Sequence, residues 1–408
     1  MNKNNELAPK PHYFMSAIGI YICYAILSMA QIIISQYSSF FQNSWQTNLH
    51  GVSTVISMMG IGRLLTILFA GFLSDRFGRK PILLVGMSCT VIFFLGLILS
   101  RNVVAAAVFS LFLGFTNSFG DAAAYPALSE AFPEKSASMS SLVKAAMSLA
   151  QFVLPFIVAA LPNAHMTLWL LIIAIVVDIV IVLFSRFAPQ DKQEKSSEKT
   201  SVADSELQEK NGAAMPNMMI DGLALIILGF TISFTFYVYT QYIPNFGISV
   251  LGLSENVAKT LMSWYAVFSL VSVFVTTILV TKIKPILLVI IYPLISLIFL
   301  VILVIKPSPL LAKITSAVIG FFAAGGVWQL GLAVLTQYFP TEKGRVTGYY
   351  SFAAALTYFV GPFVSSFIIN DTATSVLKVF WLDIVFTAIG VFLAVFVEAR
   401  NKKYHFFS

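Results

Sequence analysis

Apolar runs of about 20 residues recur along the chain at 14–40, 52–73, 81–100, 103–131, 138–161 and 166–186. A second set follows at 217–243, 256–281, 285–305, 311–339, 345–369 and 377–398. A hydrocarbon core of roughly 30 Å is crossed by about 20 apolar residues of helix. The runs lack the strict polar/apolar alternation of barrel strands, so the pattern predicts twelve transmembrane helices in an all-α membrane protein. The first run follows Lys3 and Lys10 and contains Ser28-Met29-Ala30, as a signal peptide would. It continues apolar to Phe41, however, and eleven similar runs follow, so it is read as a span.

Between Phe187 and Pro216 lies the one long polar stretch, with Asp191-Lys192-Gln193-Glu194-Lys195-Ser196-Ser197-Glu198-Lys199. Mixed charge without aromatics reads as a flexible linker. It divides the chain into an N-terminal six-helix bundle (1–186), a linker (187–216) and a C-terminal six-helix bundle (217–408). The halves repeat each other. Lys80-Pro81-Ile82-Leu83-Leu84-Val85 returns as Lys284-Pro285-Ile286-Leu287-Leu288-Val289 at an offset of 204, and Gln36-Tyr37 as Gln241-Tyr242 at 205. Phe132-Pro133 and Pro155-Phe156 return as Phe339-Pro340 and Pro362-Phe363, both at 207. Four matches in order imply two pseudo-symmetric halves, an arrangement that places a substrate site near the bilayer midplane between repeats.

Composition agrees: 58% of residues are hydrophobic and 11% charged, against about a quarter charged in soluble domains. With the N-terminus placed in the cytoplasm, 18 of the 25 Lys and Arg fall on the inner side and 5 on the outer side. That asymmetry follows the positive-inside rule with both termini cytoplasmic. The net charge of +7 therefore reports topology and not a nucleic-acid partner. Cys23 and Cys89 lie within apolar runs and read as small buried hydrophobes. Four scattered His make no cluster. With no zinc spacing, Walker loop or nucleophile motif, the chain predicts no metal, no cofactor and no enzyme.

Between the second and third runs stands Gly71-Phe72-Leu73-Ser74-Asp75-Arg76-Phe77-Gly78-Arg79-Lys80. Gly71 would allow close helix packing and Gly78 a tight turn. Asp75, at a helix end, is placed to pair with a neighbouring helix, while Arg76, Arg79 and Lys80 hold the loop on the cytoplasmic side. The decapeptide resembles the signature loop of the major facilitator superfamily, G-x-L-x-D-R-x-G-R-K. The resemblance implies the MFS fold, with Asp75 and Arg79 latching the cytoplasmic side in the outward-open state, joined by Glu130 at the inner end of the fourth helix. The corresponding stretch Val275–Lys284 has lost the Gly, Asp and Arg positions, so the latch is expected on one side only. The family's fourth helix often carries an Arg a turn before a Gly; here Ser110 precedes Gly114. Drug/proton antiporters usually carry a glycine-rich Gly-Pro in the fifth helix, where this chain reads Gln151-Phe152-Val153-Leu154-Pro155-Phe156.

Ionisable residues inside a membrane are costly and point to function. Arg63 and Asp121 each lie ten residues from the inner ends at Leu73 and Ala131, about 15 Å deep, and Lys144 about 10 Å deep. All three can share one layer of the N-half. Asp121, between two cations, is the expected proton carrier, the alternative being a permanent structural pair. Asn117 and Tyr125 lie one turn to either side of it. Arg63 and Lys144 match an anionic substrate, or are neutralised by Asp121, or, for Lys144, snorkel. Their counterparts Val267, Trp328 and Ser351 are uncharged, which places ion coupling in one half.

The family's first, fourth, seventh and tenth helices line its cavity. Gln31, Gln36, Tyr37, Asn117, Tyr237, Tyr239, Gln241, Tyr242, Trp328 and Gln329 are therefore substrate-binding candidates. Such groups bind sugars or small acids by hydrogen bonding and stacking; the alternatives are interhelical bonding or an interfacial aromatic belt. The expected function is secondary-active transport of a small polar metabolite, an organic acid or sugar, by proton symport in the inner membrane. The expected state is a monomer in the lipid bilayer. The alternative is a drug/proton antiporter, against which the absence of an acid in the first run counts.

Overall fold

The computed structural model describes residues 13–189, 216–280, 282–339 and 343–404. The linker at 190–215 lies outside them, so the assignment of 187–216 as a tether is not addressed by the fold. Twelve helices are long and apolar enough to cross a membrane: α1 (Phe14–Gln36), α2 (Leu49–Phe77), α3 (Arg79–Leu99), α4 (Val103–Ala131), α5 (Ser138–Ala160) and α6 (Ala164–Phe184). The second half has α7 (Met218–Ser249), α8 (Glu255–Thr276), α9 (Pro285–Ile305), α10 (Pro309–Tyr338), α11 (Arg345–Ile368) and α12 (Ala373–Asn401). No strand occurs among the described residues. With twelve helices, the start of α1 and the end of α12 lie on one face, the linker face, opposite a far face.

Helix ends follow local chemistry. Asn48 accepts from the His50 and Gly51 amides at the start of α2, and Asn102 and Asn163 cap α4 and α6 in the same way. Gly78, at φ +99°, makes the turn between α2 and α3 that few other residues adopt. α10 loosens into a π-helical stretch at Ile319–Ala324 and turns at Gly326, φ +126°. Ser272 of α8 donates to the freed carbonyls of Phe321 at 2.6 Å and Gly325 at 2.9 Å, and Thr276 to Gly325 at 3.2 Å. Irregular backbone at membrane depth needs partners of this kind.

In the N-half, α2 and α4 cross with their backbones almost touching. A Cβ on Gly62 would fall 2.1 Å from the Leu111 carbonyl, and one on Gly114 would fall 2.1 Å from that of Met59. Small residues at such crossings are the usual means of membrane helix association.

The two halves meet between the midplane and the far face. Tyr242 donates to Ser53 Oγ at 3.0 Å and Gln241 Nε2 to the Gln31 carbonyl at 3.0 Å. Ser263 donates to the Phe152 carbonyl at 3.1 Å, and the Leu49 amide reaches Asp371 Oδ1 at 3.3 Å. Lys259 lies over the Tyr37 ring, 5.5 Å from its centroid. The molecule is therefore in a conformation closed at the far face.

Candidate functional site

Arg63 is the central residue of α2, 14 positions from Leu49 and 14 from Phe77. Its Nη2 donates to Asp121 Oδ2 at 2.9 Å, and Tyr24 of α1 donates to Asp121 Oδ1 at 2.8 Å. Three helices of the N-half therefore converge on one carboxylate. Ser118 donates to the Arg63 carbonyl at 2.9 Å, which ties the arginine's backbone to α4 as well. Tyr125, one turn from Asp121, packs edge-on to the Tyr24 ring at 5.7 Å.

The C-half covers this pair with aromatic rings. The Arg63 guanidinium lies 4.6 Å from the centroid of Tyr358, and Tyr237 packs on Tyr358 at 4.3 Å. The Tyr358 hydroxyl is an electrostatic neighbour of Arg63, Tyr125, Tyr237 and Tyr265. A cation over a ring is worth about 0.5–1 kcal/mol when exposed and more when desolvated.

Three buried polar atoms around this centre make no close hydrogen bond: Arg63 Nε, the Tyr237 hydroxyl and Gln241 Oε1, the last two standing beside each other. Buried polar atoms are rarely left unsatisfied without a reason, and a ligand or water is the usual one. They offer a donor, a hydroxyl that acts either way and an acceptor, on both sides of the interface between the halves.

Among the sequence candidates, Gln31 and Asn117 lie together, Gln31 Nε2 donating to Asn117 Oδ1 at 2.8 Å, and Gln241 joins them across the interface. Tyr37 spends its hydroxyl on Thr167 and the Leu161 carbonyl, and Tyr239 shares its own with Ser316 Oγ at 2.9 Å. Gln36 is fully buried with both amide atoms unpartnered. Trp328 is half-buried against the Tyr350 ring with Nε1 free, and Gln329 is exposed.

Lys144 departs from one expectation. Asp121 is taken by Arg63 and Tyr24, so it does not neutralise Lys144, which has no hydrogen bond or ion pair among the described residues. Similar depth did not bring the side chains together, because pairing also needs the right helix face. Lys144 lies one turn before Ser148, whose hydroxyl meets Ser269 of α8 at 3.4 Å, so its face looks toward the C-half.

At the signature loop, Arg79 donates to Asp75 Oδ1 at 2.6 Å, to Ser74 Oγ at 2.9 Å and to Glu130 Oε1 at 3.0 Å. All these groups belong to the N-half, and the bonds stand while the far face is closed. They brace α2 against α4 rather than crossing between halves in this conformation. Arg76 is exposed, over the Phe77 ring. The expected packing role of Gly71 is not seen, since a Cβ there would meet nothing within 4 Å. On the linker face of the C-half, Arg400 of α12 pairs with the buried Asp221 of α7, one of the two bonds measuring 3.1 Å.

Tyr24, Tyr358, Asp178 and Asp383 are not singled out by the pattern of the chain. The two tyrosines look like ordinary apolar-run aromatics until the fold turns them inward. Asp178 and Asp383 are each 1% exposed, in α6 and α12. Asp383 adds a buried acid to the second half at a position that is not the counterpart of Arg63, Asp121 or Lys144. Asp178 and Asp383 are separated by 205, the repeat offset, which was a signal in the sequence.

Comparison with known proteins agrees with this architecture. The Major Facilitator Superfamily profile matches residues 20–323. The inner membrane transport protein YdiM of Escherichia coli (strain K12) is 35% identical over 97% of this chain and 96% of its own length. The uncharacterized MFS-type transporter YfkL of Bacillus subtilis (strain 168) is 33% identical over 95% and 97%. Among solved structures, a D-xylose-proton symporter superposes with a TM-score of 0.72 at 13% identity, covering 95% of this chain and 97% of that one. The nucleoside transporter NupG (D323A mutant) superposes with a TM-score of 0.69 at 14% identity, covering 95% and 100%. Two bundles of six helices, the signature loop and these relatives agree: the chain belongs to the Major Facilitator Superfamily of membrane transporters.

Proposed function

We propose that this transporter is a proton-coupled symporter of a small carboxylate-bearing polar metabolite, working by alternating access in the inner membrane with both termini cytoplasmic. The supporting observation is the set of polar atoms without a close hydrogen bond at the midplane, Arg63 Nε, Tyr237 hydroxyl and Gln241 Oε1, contributed by both halves. A hydroxylated substrate satisfies all three when bound. Lys144 narrows the class to acids, because Asp121 already balances Arg63 and leaves Lys144 as the surplus cation on a face turned to the C-half. Asp121 is the coupling acid: its side chain is 38% exposed, so a proton can reach it in this conformation. Arg63 and Tyr24 hold it in place. The far face being closed, this is the cytoplasm-facing conformation, and the chain acts as a monomer with each half a rigid rocker.

The test uses purified protein in liposomes and matched pairs of neutral sugars and their sugar acids. Uptake of the acid, driven by an inward proton gradient and selectively weakened about tenfold by Lys144→Gln, is the expected result. Equal transport of the neutral sugar by wild type and variant, or uptake indifferent to the gradient, overturns the reading.

A further inference from the structure

Among the described residues, each half carries one buried carboxylate with neither an ion-pair nor a hydrogen-bond partner. Asp178 and Asp383 have no hydrogen-bond partner on either oxygen. Both lie on the last helix of their half and face its first helix. A Cβ on Gly19 of α1 would stand 3.4 Å from Asp178 Oδ1, and Asp383 is an electrostatic neighbour of Tyr239 on α7. The heights differ. Asp178 is six residues from the linker-face end of α6, Phe184, and Asp383 is ten from the far-face end of α12, Ala373.

Around Asp383, antiparallel α7 and α12 meet in a polar seam. Thr235 Oγ1 and Thr387 Oγ1 share a hydrogen bond at 2.7 Å, and Thr387 also donates to the Asp383 carbonyl at 2.7 Å. One turn on, Tyr239 is engaged with Ser316 of α10. Among the described residues no charged side chain pairs with the carboxylate, Lys313 of α10, one turn before Ser316, included. α7 offers Tyr239 and α10 offers Ser316, while α9 has no charged residue over Pro285–Ile305 and its Tyr292 pairs with Thr276. On α12 itself, Lys378 lies five residues back, off the face. A carboxylate taken from water without donor or counter-ion is strongly disfavoured, whereas its neutral acid needs neither. A metal cation would need a cage of ligands, and no group of three or more His, Cys, Asp or Glu occurs among the described residues.

We infer that Asp383 is a second proton-binding site, within the α7–α12 seam and separate from Asp121, and that it holds a proton in the far-closed conformation. α7 also carries Gln241 and Tyr242, which bond across the halves on the turn after Tyr239. The proton therefore keeps charge away from the helix that closes the far face. The site stands independently of any substrate assignment at the midplane.

Infrared difference spectra of the full-length protein in lipid vesicles, taken from neutral to alkaline pH, test this. Wild type is expected to show a carboxylic-acid C=O band that Asp383→Asn abolishes, Asp383→Glu shifts and Asp121→Asn leaves in place. Should Asp383→Asn not fold, the shift in Asp383→Glu decides. Overturning results are a band unaltered by both Asp383 variants, or a sodium-dependent rise in Tm that Asp383→Asn removes, which would make the group a sodium ligand.

Discussion

Gly60 of α2 and Phe359 of α11 meet main chain to main chain: a Cβ built on Gly60 would fall 2.1 Å from the Phe359 amide nitrogen. This contact joins the halves in the conformation whose far face is shut. Gly60→Leu is therefore expected to hold that face open and to lower transport at least about tenfold, equivalent to a bias of ~1.4 kcal/mol. A reporter cysteine at Ser53, buried beside Tyr242 in the closed form, checks it. Labelling from the far side should accelerate in the Leu variant, and unchanged labelling would refute the prediction.

The Arg63–Asp121 pair is shared by α2 and α4, so its members should not behave independently. Arg63→Gln and Asp121→Asn each leave one charge without its partner, and the double variant removes both. Thermal unfolding of the four proteins should give a coupling energy within about 0.5–3 kcal/mol. Additive losses would mean the pair contributes nothing jointly. In vesicles, Asp121→Asn should lose proton-driven accumulation while substrate exchange continues.

Arg79 serves two carboxylates of unequal exposure, Asp75 at 70% and Glu130 at 13%. Loss of the exposed partner should cost little, about 0–1 kcal/mol. Arg79→Gln leaves Glu130 without its cation and should depress Tm more than Asp75→Asn does. Asp75→Asn should slow turnover while substrate affinity stays put. A wild-type cycling rate in that variant would contradict a role for the loop in the conformational change.

Lys259 over Tyr37 closes the far face between halves. Lys259→Met should weaken closure by about two- to fivefold, the value of a cation over a ring at a partly wet site. Distances between spin labels on α2 and α11 at the far face report the populations. An identical distribution in both proteins would assign the lysine to its Glu255 pair alone.

Most of the architecture was legible in the chain because lipid imposes a single requirement, a long apolar helix, on every span. Boundaries moved by a few residues where caps and turns decided them, as at Asn48, which starts α2 at Leu49 instead of 52. The site was legible only in part. Depth along a helix can be counted, and Arg63 with Asp121 came out at one level. Azimuth cannot be counted so readily, and Lys144 at a similar depth turned out to be unpaired. Tyr358, from the other half, reaches Arg63 through a contact that no local pattern encodes. Gly71 illustrates the converse: a motif glycine invited a packing role, and its surroundings in this conformation are open.

The glycine crossing of α2 and α4 bears on how Asp121 meets solvent. Gly62 and Gly114 lock those helices together at the height of Arg63, whereas Gly60 touches α11 only across the divide between bundles. When the bundles swing apart, guanidinium and carboxylate travel as one body, and the rings of Tyr358 and Tyr237 are what leave. Under the proposed coupling role, water from one compartment or the other is expected to reach Asp121 as the tyrosine rings move, with no need for the pair to break.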